Sequence, residues 1–106
     1  MRSAIWLALL LAGCATTAGG LGSSPVEATL ESDKTPQAWA TCVVEALMGG
    51  ADLRGEGDHY WVLRTNTMGY PIIRWDFHAR PGGGSRAELR ASMPISHATD
   101  KVQACA

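Results

Sequence analysis

The stretch Tyr70–Ala79, which reads Y-P-I-I-R-W-D-F-H-A, decides the fold because apolar and polar side chains alternate along it. The residues on one side are Ile73, Trp75, Phe77 and Ala79, and those on the other are Arg74, Asp76 and His78. This period of two is typical of a strand that buries one face and leaves the other in water.

The next run, Arg86–Ala91, alternates in the same way, and Pro81–Gly84 separates the two runs. Proline and clustered glycines break a strand, so the two runs predict an antiparallel hairpin. Registers that pair Asp76 with Arg86 or Arg90 keep both apolar sets on one face. We therefore expect cross-strand charge pairs to help set the register.

A third strand is predicted upstream at His59–Thr65, which is rich in aromatic and β-branched residues. The polar, glycine-bearing stretch 51–58 before it reads as a loop. Thr35 is a good helix N-cap and Pro36 a favoured first helical residue, so a helix is expected from Pro36 to about Met48.

A short helix is expected from Ser96 to Cys105, because Ala98, Val102 and Cys105 share one face. The predicted fold class is therefore α+β. It has an N-terminal helix, a three-stranded antiparallel meander and a short C-terminal helix, with the helices packed on one sheet face.

The N-terminus has the layout of a secretory signal peptide. Arg2 precedes the apolar run Ala4–Leu11, which is too short to span a bilayer, and small residues follow. Residues 15–34 are rich in Gly, Ser, Thr and Ala, which favours a flexible tether. The expected organisation is a signal peptide at 1–13, a lipidated cysteine and linker at 14–34, and a small domain at 35–106.

The motif Leu11-Ala12-Gly13-Cys14 resembles the lipobox of bacterial lipoproteins. The resemblance implies that the Cys14 thiol receives a diacylglyceryl group and that the chain is cut just before it. Two or three acyl chains, palmitate among them, make a stable membrane anchor. Ala15 in place of Asp implies the outer membrane, facing the periplasm. The alternative is an ordinary secretory signal that is cut later.

If Cys14 is acylated, Cys42 and Cys105 remain as one pair, and both fall on the apolar faces of their helices. The periplasm is oxidising, so a disulfide between them should persist. Closing a loop of about 60 residues stabilises by roughly 4 kcal/mol in the chain-entropy model. A core this small needs such a crosslink. A redox-active pair is the alternative, although the spacing is unlike CxxC.

Charge excludes one class of function. The whole chain carries a net charge of −1, and without Arg2 eight basic residues stand against ten acidic ones, a net charge of −2. A nucleic-acid-binding protein would show a basic excess. We therefore expect no nucleic-acid partner.

His59, His78 and His97 show no metal-ligand spacing, and no serine lies in a nucleophile motif. We expect no catalytic residues, no cofactor and no metal. A zinc site built in three dimensions from His78, Asp76 and another ligand stays open. A buried His–carboxylate cluster would move an enzyme to the front of the hypotheses.

The candidate partner-contact residues are Tyr60, Trp61, Arg64 and Arg74. Tyr60 and Trp61 point to opposite faces of their strand, so one of them should be exposed. An exposed aromatic residue beside an arginine is a typical contact site for a protein partner.

From the first helix onward, the layout is similar to a broad set of short proteobacterial lipoproteins of uncharacterised function, through Pro36, Cys42, Trp75 and Cys105. The first hypothesis is a membrane-anchored, non-enzymatic envelope lipoprotein that contacts another envelope component, and it predicts an exposed patch on the sheet and no deep pocket. The alternative is an inhibitor or binding module for a periplasmic enzyme or receptor, phage- or plasmid-related, that acts through the loop Arg80–Arg86. An enzyme ranks third.

Overall fold

The computed structural model describes residues 24–48, 50–92 and 99–106. The predicted signal peptide, the lipobox residues Leu11, Ala12, Gly13 and Cys14, and His97 lie outside the described residues. The elements in chain order are β1 (Ala28–Ser32), α1 (Pro36–Ala46), β2 (Ala51–Glu56), β3 (His59–Thr65), β4 (Pro71–Ala79), β5 (Ser85–Ala91) and α2 (Asp100–Cys105).

The strands form one five-stranded antiparallel sheet in the order β1-β5-β4-β3-β2. The predicted fold class, a three-stranded meander with the helices packed on one face, was wrong. The three predicted strands are the central three of the sheet, and β1 and β2 extend it at the two edges. β1 lies in the stretch that the sequence pattern assigned to the linker, and β2 in the stretch assigned to a loop.

The edge strands form through pairing with their neighbours. In β1, Leu30 lies opposite Ala87 and packs against the core, and Leu53 of β2 does the same opposite Val62. Each edge strand has a single large apolar residue, too weak a pattern to predict a strand. Strand preference depends strongly on such cross-strand packing, which a local sequence pattern does not contain.

Helix α1 begins as the sequence predicts. The Thr35 hydroxyl accepts a hydrogen bond from the Ala38 amide at 3.2 Å, and Pro36 is the first helical residue. Trp39 is fully buried and meets Phe77 of β4 edge to face, with ring centroids 5.3 Å apart. This contact joins the helix to the centre of the sheet and forms the middle of the core.

Helix α2 packs against α1. Trp39 Nε1 donates to the Val102 carbonyl at 2.9 Å, deep in the core. The disulfide predicted between Cys42 and Cys105 is confirmed, with an S–S distance of 2.06 Å. The last helix is thus held to the first by a covalent bond, a buried hydrogen bond and the packing of Val102.

Candidate functional site

The sheet has one face that neither α1 nor α2 covers, the two helices of the described residues, and we call it the outer face. Because side chains alternate along a strand, this face carries the polar half of each central strand. Its central residues are His59, Trp61, Arg74, Asp76, His78, Glu88 and Arg90.

Asp76 lies at the centre of the outer face and is only 2% exposed. Arg74 binds both of its carboxylate oxygens, with Nη2 2.8 Å from Oδ1 and Nε 2.9 Å from Oδ2. Arg90 Nη1 donates to Oδ2 at 3.1 Å, and His59 Nε2 lies 2.7 Å from Oδ1. Three side chains from three strands therefore converge on one buried carboxylate, and they cover it in place of a helix.

The strand register explains this convergence and corrects a prediction. Asp76 lies directly opposite Glu88, and Arg74 directly opposite Arg90, so like charges face each other. Neither Arg86 nor Arg90 lies directly opposite Asp76, as the expected registers required. The attractive contacts run diagonally instead, since Arg90 reaches Asp76 from two positions along the strand. Because long side chains span such diagonals, the charge pattern alone does not determine which residues lie directly opposite each other.

The two histidines of this face form a stacked pair. His59 and His78 are opposite each other in the register, with ring centroids 4.2 Å apart and planes inclined by 19°. His78 Nε2 also lies 3.3 Å from Glu88 Oε1. Trp61 lies beside this pair, with its ring tilted by 43° to the His59 ring at a centroid distance of 5.1 Å and the Arg74 guanidinium 5.0 Å from its ring centroid.

The surroundings shift two pKa values. Burial raises the pKa of Asp76, but the hydrogen bonds from Arg74 and His59, together with their charges, outweigh it and leave the pKa below 3.8. Burial lowers the pKa of His78 below its ordinary 6.5, and the charge on His59 adds to this. Glu88 and Asp76 oppose the shift only in part. At neutral pH the site thus holds the charged carboxylate of Asp76 and the neutral imidazole of His78.

A metal ion is the first occupant to test, because ligand atoms of His59, Asp76 and His78 lie within 4.8 Å of one another. The present geometry does not fit one. The lone pair of an imidazole nitrogen lies in the ring plane, and two stacked, nearly parallel rings do not aim their lone pairs at one point about 2 Å from each nitrogen. Asp76 is also occupied by two arginines, whose charges repel a cation.

Acid–base chemistry is the second capability. A histidine hydrogen-bonded to a buried carboxylate is oriented as a general base requires. A shallow depression of about 370 Å³ adjoins His59, lined also by Gly55, Glu56 and Trp61. Among the described residues, the hydroxyls of Ser32, Ser85 and Ser92 bond to backbone oxygens rather than to His59.

The structure divides the predicted contact residues between the two faces. Trp61 and Arg74 lie together on the outer face. Tyr60 and Arg64 lie on the helix side, where Tyr60 packs against the core and Arg64 is exposed. Sequence alternation along β3 predicts this division. The four residues therefore do not form one patch.

The loop from Arg80 to Arg86 is pinned to the edge strand β1. Arg80 Nη1 donates to Glu31 Oε2 at 2.8 Å, and the Arg80 amide bonds to the Gly84 carbonyl at 3.0 Å. Gly84 has a positive φ of 77°, and a Cβ there would collide with the Ser32 carbonyl oxygen. Only glycine suits that position, because any other residue would need a positive φ and would collide with β1.

Sequence reasoning placed Asp76 and His78 on a wet face and missed that Asp76 is buried at the centre of a cluster. The alternation along β4 gives the correct face. The burial of Asp76 arises from His59 and Arg90, which are 17 and 14 residues away in the chain. Only the pairing of β3 and β5 with β4 brings them together.

Comparison with protein-family models, with curated proteins and with solved structures found no match to this chain. No helix among the described residues is long and apolar enough to cross a membrane.

Proposed function

We propose that this protein is a non-enzymatic binding module of the bacterial envelope, anchored to the outer membrane by lipid on Cys14 and facing the periplasm. It engages an envelope protein through the outer face of its sheet. The anchor follows from the lipobox resemblance at Leu11–Cys14. The binding role follows from the surface centred on Trp61.

The observation that supports the binding role is the chain of contacts from Asp76 to Arg74 and from Arg74 to Trp61. Asp76 holds the Arg74 guanidinium in place, and Arg74 in turn lies against the Trp61 ring. Fixed side chains lose little conformational entropy when a partner binds. Tryptophan and arginine are also the residues that contribute most often to binding energy at protein interfaces. An aromatic ring packed against an ion-paired guanidinium, on a sheet face that neither described helix covers, is suited to such a contact.

A second candidate, an acid–base enzyme, is favoured by the hydrogen bond between His59 and the buried Asp76. A buried His–carboxylate cluster is the feature that would place an enzyme first. The cluster exists, but its carboxylate is also neutralised by Arg74 and Arg90. Structural ion-pair networks share this pattern. The depression beside His59 is also shallow and open, so a binding module fits the site better than an enzyme does.

Two measurements test the proposal. The anchor is tested by the intact mass of protein purified from membranes. A diacyl or triacyl adduct on a chain that starts at Cys14, lost in Cys14→Ala, supports the anchor. An unlipidated chain contradicts it.

The binding face is tested by photo-crosslinking in cells. A photoreactive phenylalanine analogue replaces Trp61 in one variant and Gln37, exposed on α1, in a matched control. We expect a discrete protein adduct from position 61 and none from position 37. Equal adducts from both positions, or one from position 37 alone, would contradict an outer-face interface.

The enzyme candidate predicts a different result. His59 would then be catalytic, and a position-61 probe would capture no protein partner. A hydrolytic activity of the purified protein that His59→Gln abolishes, with the fold retained by circular dichroism, would put the enzyme first.

A further inference from the structure

Four large apolar side chains are exposed among the described residues. Their exposed fractions are 90% for Met48, 77% for Met68, 63% for Tyr70 and 39% for Val26. Scattered exposed apolar residues are ordinary on a protein surface, whereas several at one place indicate an interaction surface. The position of these four in the fold is therefore informative.

All four lie at the same end of the sheet, which we call the apolar end. Met68 and Tyr70 belong to the turn between β3 and β4, closed by the Gly69 amide bonding to the Asn66 carbonyl at 3.0 Å. Val26 lies just before β1, where the Glu27 amide bonds to Leu89 near the end of β5. These positions are the start of β1, the end of β5 and the start of β4, which share one end of an antiparallel sheet.

Met48 reaches the apolar end from the helix layer. It follows α1, and the next described residue, Gly50, lies beside the end of β3. A Cβ atom at Gly50 would be 3.8 Å from Arg64 Nε. Met48 has a positive φ of 52°, a conformation that an L residue adopts at a cost and that glycine adopts freely. A methionine thus occupies a strained and almost fully exposed position.

The opposite end of the sheet has another character. Its exposed residues include Asp33 and Lys34 after β1 and Glu56 and Asp58 at the turn between β2 and β3. None of the exposed large apolar side chains of the described residues lies there. The molecule is therefore polarised along its strands, with an apolar end and a charged end.

The chain itself points to what covers the apolar end. The described chain begins at Ser24, whose carbonyl accepts a hydrogen bond from Arg90 Nε at 3.0 Å near the end of β5. Cys14 is ten residues earlier, and ten residues span at most about 35 Å. The end of the domain from which the chain leads to the proposed lipid anchor is thus the apolar end.

We infer that the apolar end, formed by Val26, Met48, Met68 and Tyr70, rests on the surface of the bilayer that holds Cys14. This inference depends on the lipid anchor under the proposed function. Tyrosine and methionine suit the boundary between lipid headgroups and acyl chains, because each combines apolar surface with a polar or polarizable group. Charges at this end are mixed, with Arg64 and Asp52 both exposed, so apolar contact rather than charge is the attraction.

Contact of this kind orients the domain. The strands stand on the membrane, and the outer face looks sideways along the bilayer surface. The charged end points into the periplasm. A partner of the outer face would then be bound beside the protein at the membrane rather than above it.

Oxidation of methionine tests the inference on the mature protein. Lipidated protein is placed in vesicles of phosphatidylethanolamine and phosphatidylglycerol and treated with chloramine-T. Mass spectrometry follows sulfoxide formation at Met48 and Met68. An added methionine, Pro81→Met, lies in the exposed loop at the far end and serves as an internal standard. The reference is the same mature chain with Cys14→Ser, exported by a signal peptide without a lipobox and kept in solution.

We expect Met48 and Met68 to oxidise about fivefold more slowly, relative to the methionine at position 81, in the vesicle-bound protein than in solution, because an interfacial side chain is shielded from a polar oxidant. Equal relative rates in a protein whose mass shows the acyl chains would overturn the membrane contact and leave the anchor standing. Absence of the acyl chains would overturn the anchor itself. Protection of both methionines in the soluble chain, growing with protein concentration, would mean that a second copy covers the apolar end.

Discussion

The two faces of the sheet exclude water equally well at their centres but do so by different means. On the helix side, Trp39 and Phe77 are fully buried beneath a layer of helices. On the outer face, Asp76 is 2% exposed although neither described helix covers it, because His59, Arg74 and Arg90 lie over it. One face is buried by backbone elements and the other by the side chains of its own strands.

The difference separates stability from recognition. Apolar burial is nondirectional and roughly proportional to area, so the helix side holds the fold together. A buried ion-pair network costs desolvation that its attractions only partly return, so it adds less net stability than its contacts suggest. On the outer face the network mainly positions side chains, because hydrogen bonds to Asp76 orient His59, Arg74 and Arg90.

The sharpest test compares one tryptophan from each face. Trp39→Ala removes a side chain with no exposed surface and leaves a cavity, so unfolding free energy should fall by about 4 to 5 kcal/mol. Trp61→Ala removes a partly buried ring of the outer face and one cation–π contact, a loss of about 1 kcal/mol. Urea denaturation of both variants measures the difference. Equal losses would show that the outer face is part of the core.

The second test removes the covalent bond in the helix layer. The bridge between Cys42 and Cys105 joins residues 63 apart, and in the chain-entropy model its loss costs about 4 kcal/mol. Cys42→Ala with Cys105→Ala should therefore unfold at a much lower urea concentration than the oxidised protein. Reducing the wild-type protein should give a shift of similar size. An unchanged midpoint would mean that packing of Val102 and Trp39 alone holds α2.

Much of the helix layer is predictable from the sequence. The N-cap Thr35, Pro36 and the spacing of Trp39, Cys42 and Val43 define α1, and the cysteine count leaves one pair for the bridge. These signals are local or depend only on residue type. The lipid on Cys14 and the envelope location stay predictions, since they fall on residues outside the described ranges.

The edges of the sheet and the cluster on its outer face are not predictable in the same way. β1 and β2 are short and largely polar, as is common for edge strands, which avoid aggregation by keeping charges. Alternation shows that Asp76 and Arg74 share a face, but not that Arg90 reaches Asp76 across a diagonal. Such contacts depend on strand order and register, and several registers satisfy the same pattern of apolar residues.

The third test addresses the network itself. Asp76→Asn leaves Arg74 and Arg90 half-buried without their counter-charge, which should cost about 3 kcal/mol. Glu88→Gln, directly opposite on β5 and more exposed, removes only the contact with His78 and should cost less than about 1 kcal/mol. Thermal unfolding of the two variants at pH 7 compares them. A larger loss for Glu88→Gln would contradict Asp76 as the centre of the network.

The smallest expected effect is a dependence of stability on pH that arises on the outer face. The pKa of His78 lies below 6.5 in the folded protein, chiefly through burial and then through the charge on His59, with Arg86 adding to it and Glu88 and Asp76 opposing it. The unfolded chain thus binds the proton more readily. Stability is complete above pH 6.5 and falls as the pH drops through 6.5 towards the lower folded pKa.

Asp76 acts in a more acidic range, which keeps the two effects apart. Its folded pKa lies below 3.8, so its contribution is present above 3.8 and is lost only as the pH falls further. Between pH 7 and pH 5 the decline in melting temperature should therefore be smaller in His78→Gln than in the wild-type protein, because glutamine cannot be protonated. Identical slopes in the two proteins would place the pH dependence elsewhere. A smaller slope in His78→Gln would show that protonation on the outer face lowers the stability of the fold near neutral pH, which the apolar helix side cannot do.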